Sequence, residues 1–295
     1  MTRKILTGLS SQAYEHPFDR QALTALQKMP GISLVLKKIN EYGIDRLLRL
    51  LTLGSEIKIT PRNFPQLHQT LVEACEILDV TLLPELYLSR GQGHVQSYSV
   101  GVEKPLVGIN LDAMEWLSAD ELIYIFGHEI AHIKSQHMIY HQMAFVMPTL
   151  KHLLSSTTMG FGGLAASGLE LALHNWRMMA ELTADRAGLL ACQNLDVAIN
   201  TLLKLAGLPH EYLTPPVIED FLVQAREFSS DSFDSIDQVT KVFSYTESHL
   251  PWVVMRASEL LKWIDSGEYH ALIQDNNLKT NTSEEIEKWN FLTSW

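Results

Sequence analysis

The chemistry most legible in the chain lies in five consecutive residues near its middle, His128-Glu129-Ile130-Ala131-His132, the pattern H-E-x-x-H. On a helix, residues four apart share a face with Cβ atoms about 5–6 Å apart, so His128 and His132 can aim two imidazole nitrogens at one divalent ion. Glu129 sits at the edge of that face. Its carboxylate can take a proton from a water activated beside the ion without itself filling a coordination position. With 12 histidines in the chain the pentapeptide alone is weak evidence, and two hydrogen-bonded core histidines beside a surface carboxylate are the competing explanation.

A second pair four apart, Glu181 and Asp185, lies in the helical stretch Asn175 to Ala191. Glu181 can supply the third protein ligand of a zinc whose fourth position holds water. Asp185, one turn on, can accept a hydrogen bond from the distal N–H of a liganding histidine and so fix its tautomer. Taken alone, this pair reads as an acidic helix face with Arg177 and Arg186 as ion-pair partners. Taken with His128, Glu129 and His132, it completes a set of three ligands, an orienting carboxylate and a base. His137 and His141 are also four apart, but each follows a member of the first pair by nine residues, about half a turn out of phase on one helix. They are expected to point away from the site, and Met138 leaves them without an activating carboxylate.

The elements that must position these residues follow from periodicity and punctuation. Ser118 and Glu121 form a capping box, so the motif helix is expected to begin near Ala119, to carry its apolar period through Tyr140 and to end before Pro148. Strand-like runs at Glu85 to Ser89, Gln96 to Val102 and Leu106 to Leu111 predict a small antiparallel sheet beside it, with a further short strand at Ile57 to Thr60. Helical periodicity appears earlier at Asp19 to Lys28, Leu34 to Leu51 and Pro65 to Leu78, the second with Leu36, Ile39, Tyr42, Leu47, Leu50 and Leu51 as one apolar stripe. It returns at Val197 to Leu205, Val217 to Arg226, Ile236 to Phe243 and Trp252 to Trp263, before a polar tail from about Gln274 that holds Trp289 and Trp295. Asp231, Asp234 and Asp237 read as a solvated turn, since the spacing and glycine of a calcium loop are missing.

Composition narrows the function classes. The 295 residues are 46% hydrophobic, enough for a sizeable core, and the formal charge is −11, from 34 acidic and 23 basic residues. No basic cluster offers a footprint for nucleic acid or an anionic membrane. Cys75 and Cys192 are too few for a disulfide framework or a thiolate zinc site and read as buried small hydrophobes in a reducing compartment. Met1 to Ser11 lacks the apolar run and cleavage pattern of a signal peptide, which makes the cytoplasm the expected location. Residues 153–173 are the most membrane-like stretch, but Glu170, the Ser155 to Thr158 block and the Gly160 to Gly163 break argue for a flexible or hairpin insertion beside the active site rather than a span, with any membrane contact peripheral.

Together these segments resemble the M48 zinc metallopeptidases, the HtpX-like group and its relatives, in a soluble form with an N-terminal extension. The resemblance rests on Gly127 to His137, on Glu181-Leu-Thr-Ala-Asp185-Arg186-Ala-Gly188, and on Ser248-His249-Leu-Pro251 with Arg256. It reaches back through Tyr98 to Pro105 and Leu117 to Glu121. It implies an α+β, mainly α fold, with a zincin core of the gluzincin type and a small antiparallel sheet beside the motif helix. The implied domains are 1–83 as an N-terminal helical extension, 84–270 as the peptidase and 271–295 as a polar tail. One Zn2+ per chain is implied, held by His128, His132 and Glu181, with Glu129 as general base and Asp185 as partner of a liganding histidine. Substrate would pair in extended form along Gln96, Ser97, Tyr98, Ser99 and Val100. Gln96-Ser97 stands where the family usually has Asn-Ala, which puts a side-chain contact to substrate in doubt but not backbone pairing. Arg256 would brace the site through an ion pair with Asp185 or another carboxylate. His249 would lie over the zinc, stabilising the oxyanion or filling the open position in a latent state; its alternative role is to cap the Trp252 helix. The implied activity is metalloendopeptidase action on unfolded or misfolded proteins, and the alternative is a zinc-bearing peptide-binding, chaperone-like module with latent or no proteolysis.

Overall fold

In a computed structural model of the protein, the described residues are 3–157, 161–230 and 252–275, with the side chains of 150–157, 161–166 and 229–230 left aside. The chain runs α1 (Pro17–Gln27), α2 (Ile32–Glu41), α3 (Ile44–Ser55), β1 (Ile57–Ile59), α4 (Pro65–Ile77), β2 (Glu85–Ser89), β3 (Ser97–Val100), β4 (Leu106–Asn110), α5 (Leu111–Trp116) and α6 (Ala119–Lys134). It continues through α7 (Met138–Thr157), α8 (Phe161–Cys192), α9 (Leu195–Leu205), α10 (Pro215–Ser230), α11 (Val253–Asp265) and α12 (Glu268–Gln274). The fold is mainly helical, with one small sheet. No described helix is long and apolar enough to cross a membrane. The expected helix at Ile236 to Phe243, the acidic turn at Asp231 to Asp237 and the tail tryptophans lie outside the described residues.

The sheet corrects the antiparallel expectation. Its order is β1-β2-β4-β3, with β2 and β4 parallel and the two outer pairs antiparallel. After β2 the chain first lays β3 at the edge, then turns back to insert β4 between them, so β4 runs in the direction of β2. Alternation of apolar residues fixes which face a side chain takes and says nothing about strand order. All five β4 residues are buried, as a central strand covered on both faces requires. Gly108 makes room for its neighbour, since a Cβ there would lie 2.2 Å from the Tyr98 ring paired opposite it.

Two helix expectations also change. The stretch Leu34 to Leu51 divides at Gly43, whose φ of +60° stops one helix and starts the next. Leu36 and Ile39 are buried, whereas Tyr42, Leu47, Leu50 and Leu51 are exposed, so the apolar stripe does not run through. The motif helix begins at Ala119, with both hydrogen bonds of the Ser118–Glu121 capping box made. It stops at Lys134: Ser135 caps it and Gln136, at φ +59°, turns the chain into α7, which continues through Pro148 to Thr157.

α6 and α8 cross so closely that glycine is required at the contact. A Cβ on Gly127 would lie 2.4 Å from Cβ of Ala191 and 3.1 Å from the Ala187 carbonyl oxygen, and one on Gly188 would lie 2.9 Å from the Tyr124 ring. This crossing sits in the main core with Tyr124, Phe126, Ile130 and Trp263. A second cluster joins α1 and α2 to α7 and α8 around Trp176 and Met143. The start of α6 is tied down by Lys204 of α9, whose Nζ donates to Glu121 Oε2 at 2.7 Å and to the Trp116 carbonyl at 2.8 Å.

Candidate active site

The α6–α8 crossing brings His128 and His132 against Glu181. The Nε2 atoms of the two histidines are 3.3 Å apart. Glu181 Oε2 is 3.3 Å from the first and Oε1 is 3.6 Å from the second. One ligand atom from each of the three residues falls within 4.8 Å of the others. Two nitrogens each about 2.0–2.1 Å from a zinc at a tetrahedral angle are about 3.4 Å apart, so the donor set has the span of a zinc site.

The electrostatics point the same way. Burial opposes charge on His128, but Asp185 and Glu181 outweigh it and push its pKa up to about 10, while burial, then His141, hold His132 well below the usual range. Without a metal, the proton on His128 carries the positive charge of the cluster; a divalent ion in its place would accept one lone pair from each of the three residues.

Around this cluster the other expected residues take definite places. His128 Nδ1 is 3.1 Å from Asp185 Oδ1. Asp185 also accepts the Tyr124 hydroxyl at 2.8 Å and a two-pronged ion pair from Arg256, 2.7 Å from Nε and 2.6 Å from Nη2. Burial acts to raise the Asp185 pKa, but the Arg256 guanidinium, with the His128 contact, holds it at about 2. Glu129 is buried beside the cluster and its Oε1 accepts the Ser97 hydroxyl at 2.6 Å. Burial raises its pKa despite His128 and Ser97. Gln96, Ser97, Tyr98 and Ser99 line the same cavity of about 770 Å³ as His128, Glu129, His132 and Glu181. Val100 is the last residue of β3, whose outer side has no strand partner among the described residues. His249 lies outside the described residues.

His137 and His141 do not point away from the site, contrary to the phase argument. That argument needs one helix through residue 141, and the turn at Ser135-Gln136 breaks it. His137 Nδ1 is 3.0 Å from His132 Nδ1, and the His141 ring lies 4.9 Å from that of His132. The polar run Lys134-Ser135-Gln136 after the motif was the available signal of a helix end. The N-terminal segment, which showed no chemistry in sequence, also reaches this cluster. Asp19 of α1 is fully buried, with Oδ2 3.2 Å from His137 Nε2. As a third residue in a first turn, Asp19 looks like an ordinary helix-dipole carboxylate, so nothing in the sequence marked it.

Comparison with known proteins agrees with this geometry. Residues 61–264 match the profile of Peptidase family M48. Over 281 residues, 95% of this chain and 80% of the relative, the sequence is 28% identical to the Plastoglobule-localized metallopeptidase 48, chloroplastic, of Arabidopsis thaliana. No solved structure matches. With its H-E-x-x-H helix and Glu181 drawn together inside the matched region, the chain belongs to peptidase family M48 and is a metallopeptidase.

Proposed function

We propose that the protein is a zinc-dependent endopeptidase of the zincin type that cuts extended segments of unfolded or misfolded proteins, with His128, His132 and Glu181 as zinc ligands and Glu129 as general base. The observation that supports this reading is the Ser97–Glu129 hydrogen bond, which joins Glu129, beside the His128, His132 and Glu181 cluster, to β3, a strand with no partner on its outer side among the described residues. A zinc held there would polarise the scissile carbonyl and acidify a water. Glu129 takes the proton from that water and returns it to the leaving amine nitrogen. Its burial suits this double duty, since a carboxylate with a raised pKa holds the proton long enough to deliver it. The outer edge of β3 holds the substrate backbone extended by strand addition. Asp185 fixes the His128 tautomer, and Arg256 balances the carboxylates, reaching Asp185 at 2.6 Å and Glu181 at 3.8 Å.

Digestion of casein and of end-blocked peptides, with and without a chelator, tests the reading. Wild type is expected to cut internal bonds only without chelator, and Glu129→Gln to keep one zinc while losing about 10²–10⁴-fold in rate. Cutting by Glu129→Gln at the wild-type rate removes Glu129 as base. His249→Ala assigns that residue: a slower enzyme fits oxyanion stabilisation and a faster one fits latency. The division into 1–83, 84–270 and 271–295 and a peripheral lipid contact through 153–173 belong to the same reading; limited proteolysis and liposome flotation check them.

A further inference from the structure

Behind the ligand cluster a line of buried groups leads out of the site to the N-terminal helix. His132 Nδ1 meets His137 Nδ1 at 3.0 Å, and His137 Nε2 meets Asp19 Oδ2 at 3.2 Å. Asp19, His137 and His132 are 0%, 2% and 3% exposed, so the whole line is buried. The carboxylate is held by two further donors, Trp176 Nε1 at 2.9 Å to Oδ1 and Thr183 Oγ1 at 2.6 Å to Oδ2. The Trp176 ring stands edge-on to His137, with centroids 5.4 Å apart and an angle of 85°, and fixes its plane. The backbone adds a third constraint, with the His137 N–H donating to the His132 carbonyl at 2.9 Å.

Only one assignment of protons suits a metal-liganding His132. If Nε2 gives its lone pair to the ion, Nδ1 carries the hydrogen and donates to His137 Nδ1. His137 then carries its own hydrogen on Nε2 and donates to Asp19. The reverse direction would put the hydrogen of His132 on Nε2, where the ligand lone pair is needed. A buried carboxylate at the far end, already aimed by two other donors, makes the productive direction the favoured one. Hydrogen bonds in series polarise one another and raise the basicity of the ligand at the end.

Resting on the assignment of His128, His132 and Glu181 as the metal ligands, we propose that Asp19 is a positioning residue of the metal site, acting through His137 to hold His132 in its metal-binding tautomer. Helix α1 lies outside residues 61–264, which match the family profile, and is thereby a working part of the metal centre. His128 is oriented within the matched region by Asp185, and His132 by a two-step relay from outside it.

The test is zinc affinity, measured on the full chain by competition with a chromogenic chelator. Asp19→Asn and His137→Gln are each expected to weaken zinc binding by about 10- to 100-fold. The double variant is expected to be no weaker than the weaker single, because both changes break one relay. Tyr140→Phe, which removes the Gln27 hydrogen bond between α1 and α7 and leaves every group of the relay in place, is expected to lower the melting temperature of the metal-free protein with little change in zinc affinity. In Co2+-loaded protein, Asp19→Asn is expected to shift the visible ligand-field bands. Unchanged affinity and bands in Asp19→Asn and His137→Gln overturn the relay, as do additive losses or an equal loss in Tyr140→Phe. Should the variants not fold, nitrogen NMR of the zinc-loaded wild type decides: a coupling across His132 Nδ1–H···Nδ1 His137 is expected, and a His137 that shows Nδ1 protonated instead overturns it. Wild type that binds no stoichiometric zinc, or a His128→Ala variant that binds it as well, overturns the ligand assignment itself rather than the relay.

Discussion

Ser97 of β3 and Glu129 of α6 are joined by a hydrogen bond of 2.6 Å, the contact that ties the edge strand to the carboxylate beside the His128–His132 pair. The hydroxyl stabilises the charged form of Glu129 against burial, which raises its pKa. Ser97→Ala removes that support, so the Glu129 pKa rises further. As the proposed base, Glu129 works ionised, and the acidic limb of kcat/KM is therefore expected to move to higher pH, with a greater loss of rate at pH 6 than at pH 8. A pH–rate profile on a peptide substrate checks this, and an unmoved limb refutes it.

The glycine at the helix crossing gives a prediction about assembly of the site. The Ala191 methyl, 2.4 Å from a Cβ at position 127, belongs to a one-carbon side chain with no rotamer to give way. Gly127→Ala is expected to push α6 from α8, to cost about 1–3 kcal/mol, and to weaken zinc binding by separating His128 from Glu181. Urea unfolding and metal titration measure the two effects; a variant that loses stability but keeps full affinity shows that the crossing relaxes elsewhere.

Lys204 and Glu121 are a buried ion pair, with side chains only 4% and 6% exposed. Lys204→Met leaves Glu121 charged and unpaired at the start of the motif helix, at an expected cost of about 3–5 kcal/mol. Adding Glu121→Gln keeps an acceptor for the Ser118 N–H and removes the stranded charge, so the double variant is expected to recover most of the loss. Equilibrium unfolding of wild type and the two variants reads the difference.

His16 gives a pH dependence of stability away from the site. Its Nδ1 accepts the Phe18 N–H at 3.1 Å and its Nε2 meets Glu259 Oε2 at 3.1 Å, a pattern that suits the neutral ring. Burial, with the Arg186 charge, lowers its pKa in the fold despite Glu259 and Asp19. A histidine with a depressed folded pKa contributes stability fully above the unfolded value of about 6.5 and loses it as pH falls below that. His16→Asn keeps an N-cap acceptor without titrating. The melting temperature is therefore expected to fall less for His16→Asn than for wild type between pH 7 and 5, and parallel curves refute this.

Local signals in the chain were reliable where local physics decides. The Ser118 capping box placed the start of α6 near Ala119, where it lies, and the four-residue spacings put His128, His132, Glu181 and Asp185 on usable faces. What depended on a single backbone dihedral was lost. Gln136 at φ +59° reverses the chain and carries His137 into the cluster, and no periodicity argument anticipates a residue in that conformation. Strand order was lost for a related reason, since the β3–β4 pair is local while the parallel β2–β4 pair is not. Asp19 was invisible because its partners, His137, Trp176 and Thr183, come from residues more than a hundred positions away.

If substrate pairs along β3 as proposed, the shortness of that strand sets the footprint: four residues at about 3.4 Å each give an edge of roughly 14 Å, enough to register about four residues of a substrate backbone. The same brevity protects the protein from itself. An unpaired strand edge is a template for intermolecular β-pairing and aggregation, and very short edge strands are one means of blunting it. A longer β3 would grip substrate better and would also recruit other copies, which sets the grip of the groove against the solubility of the chain.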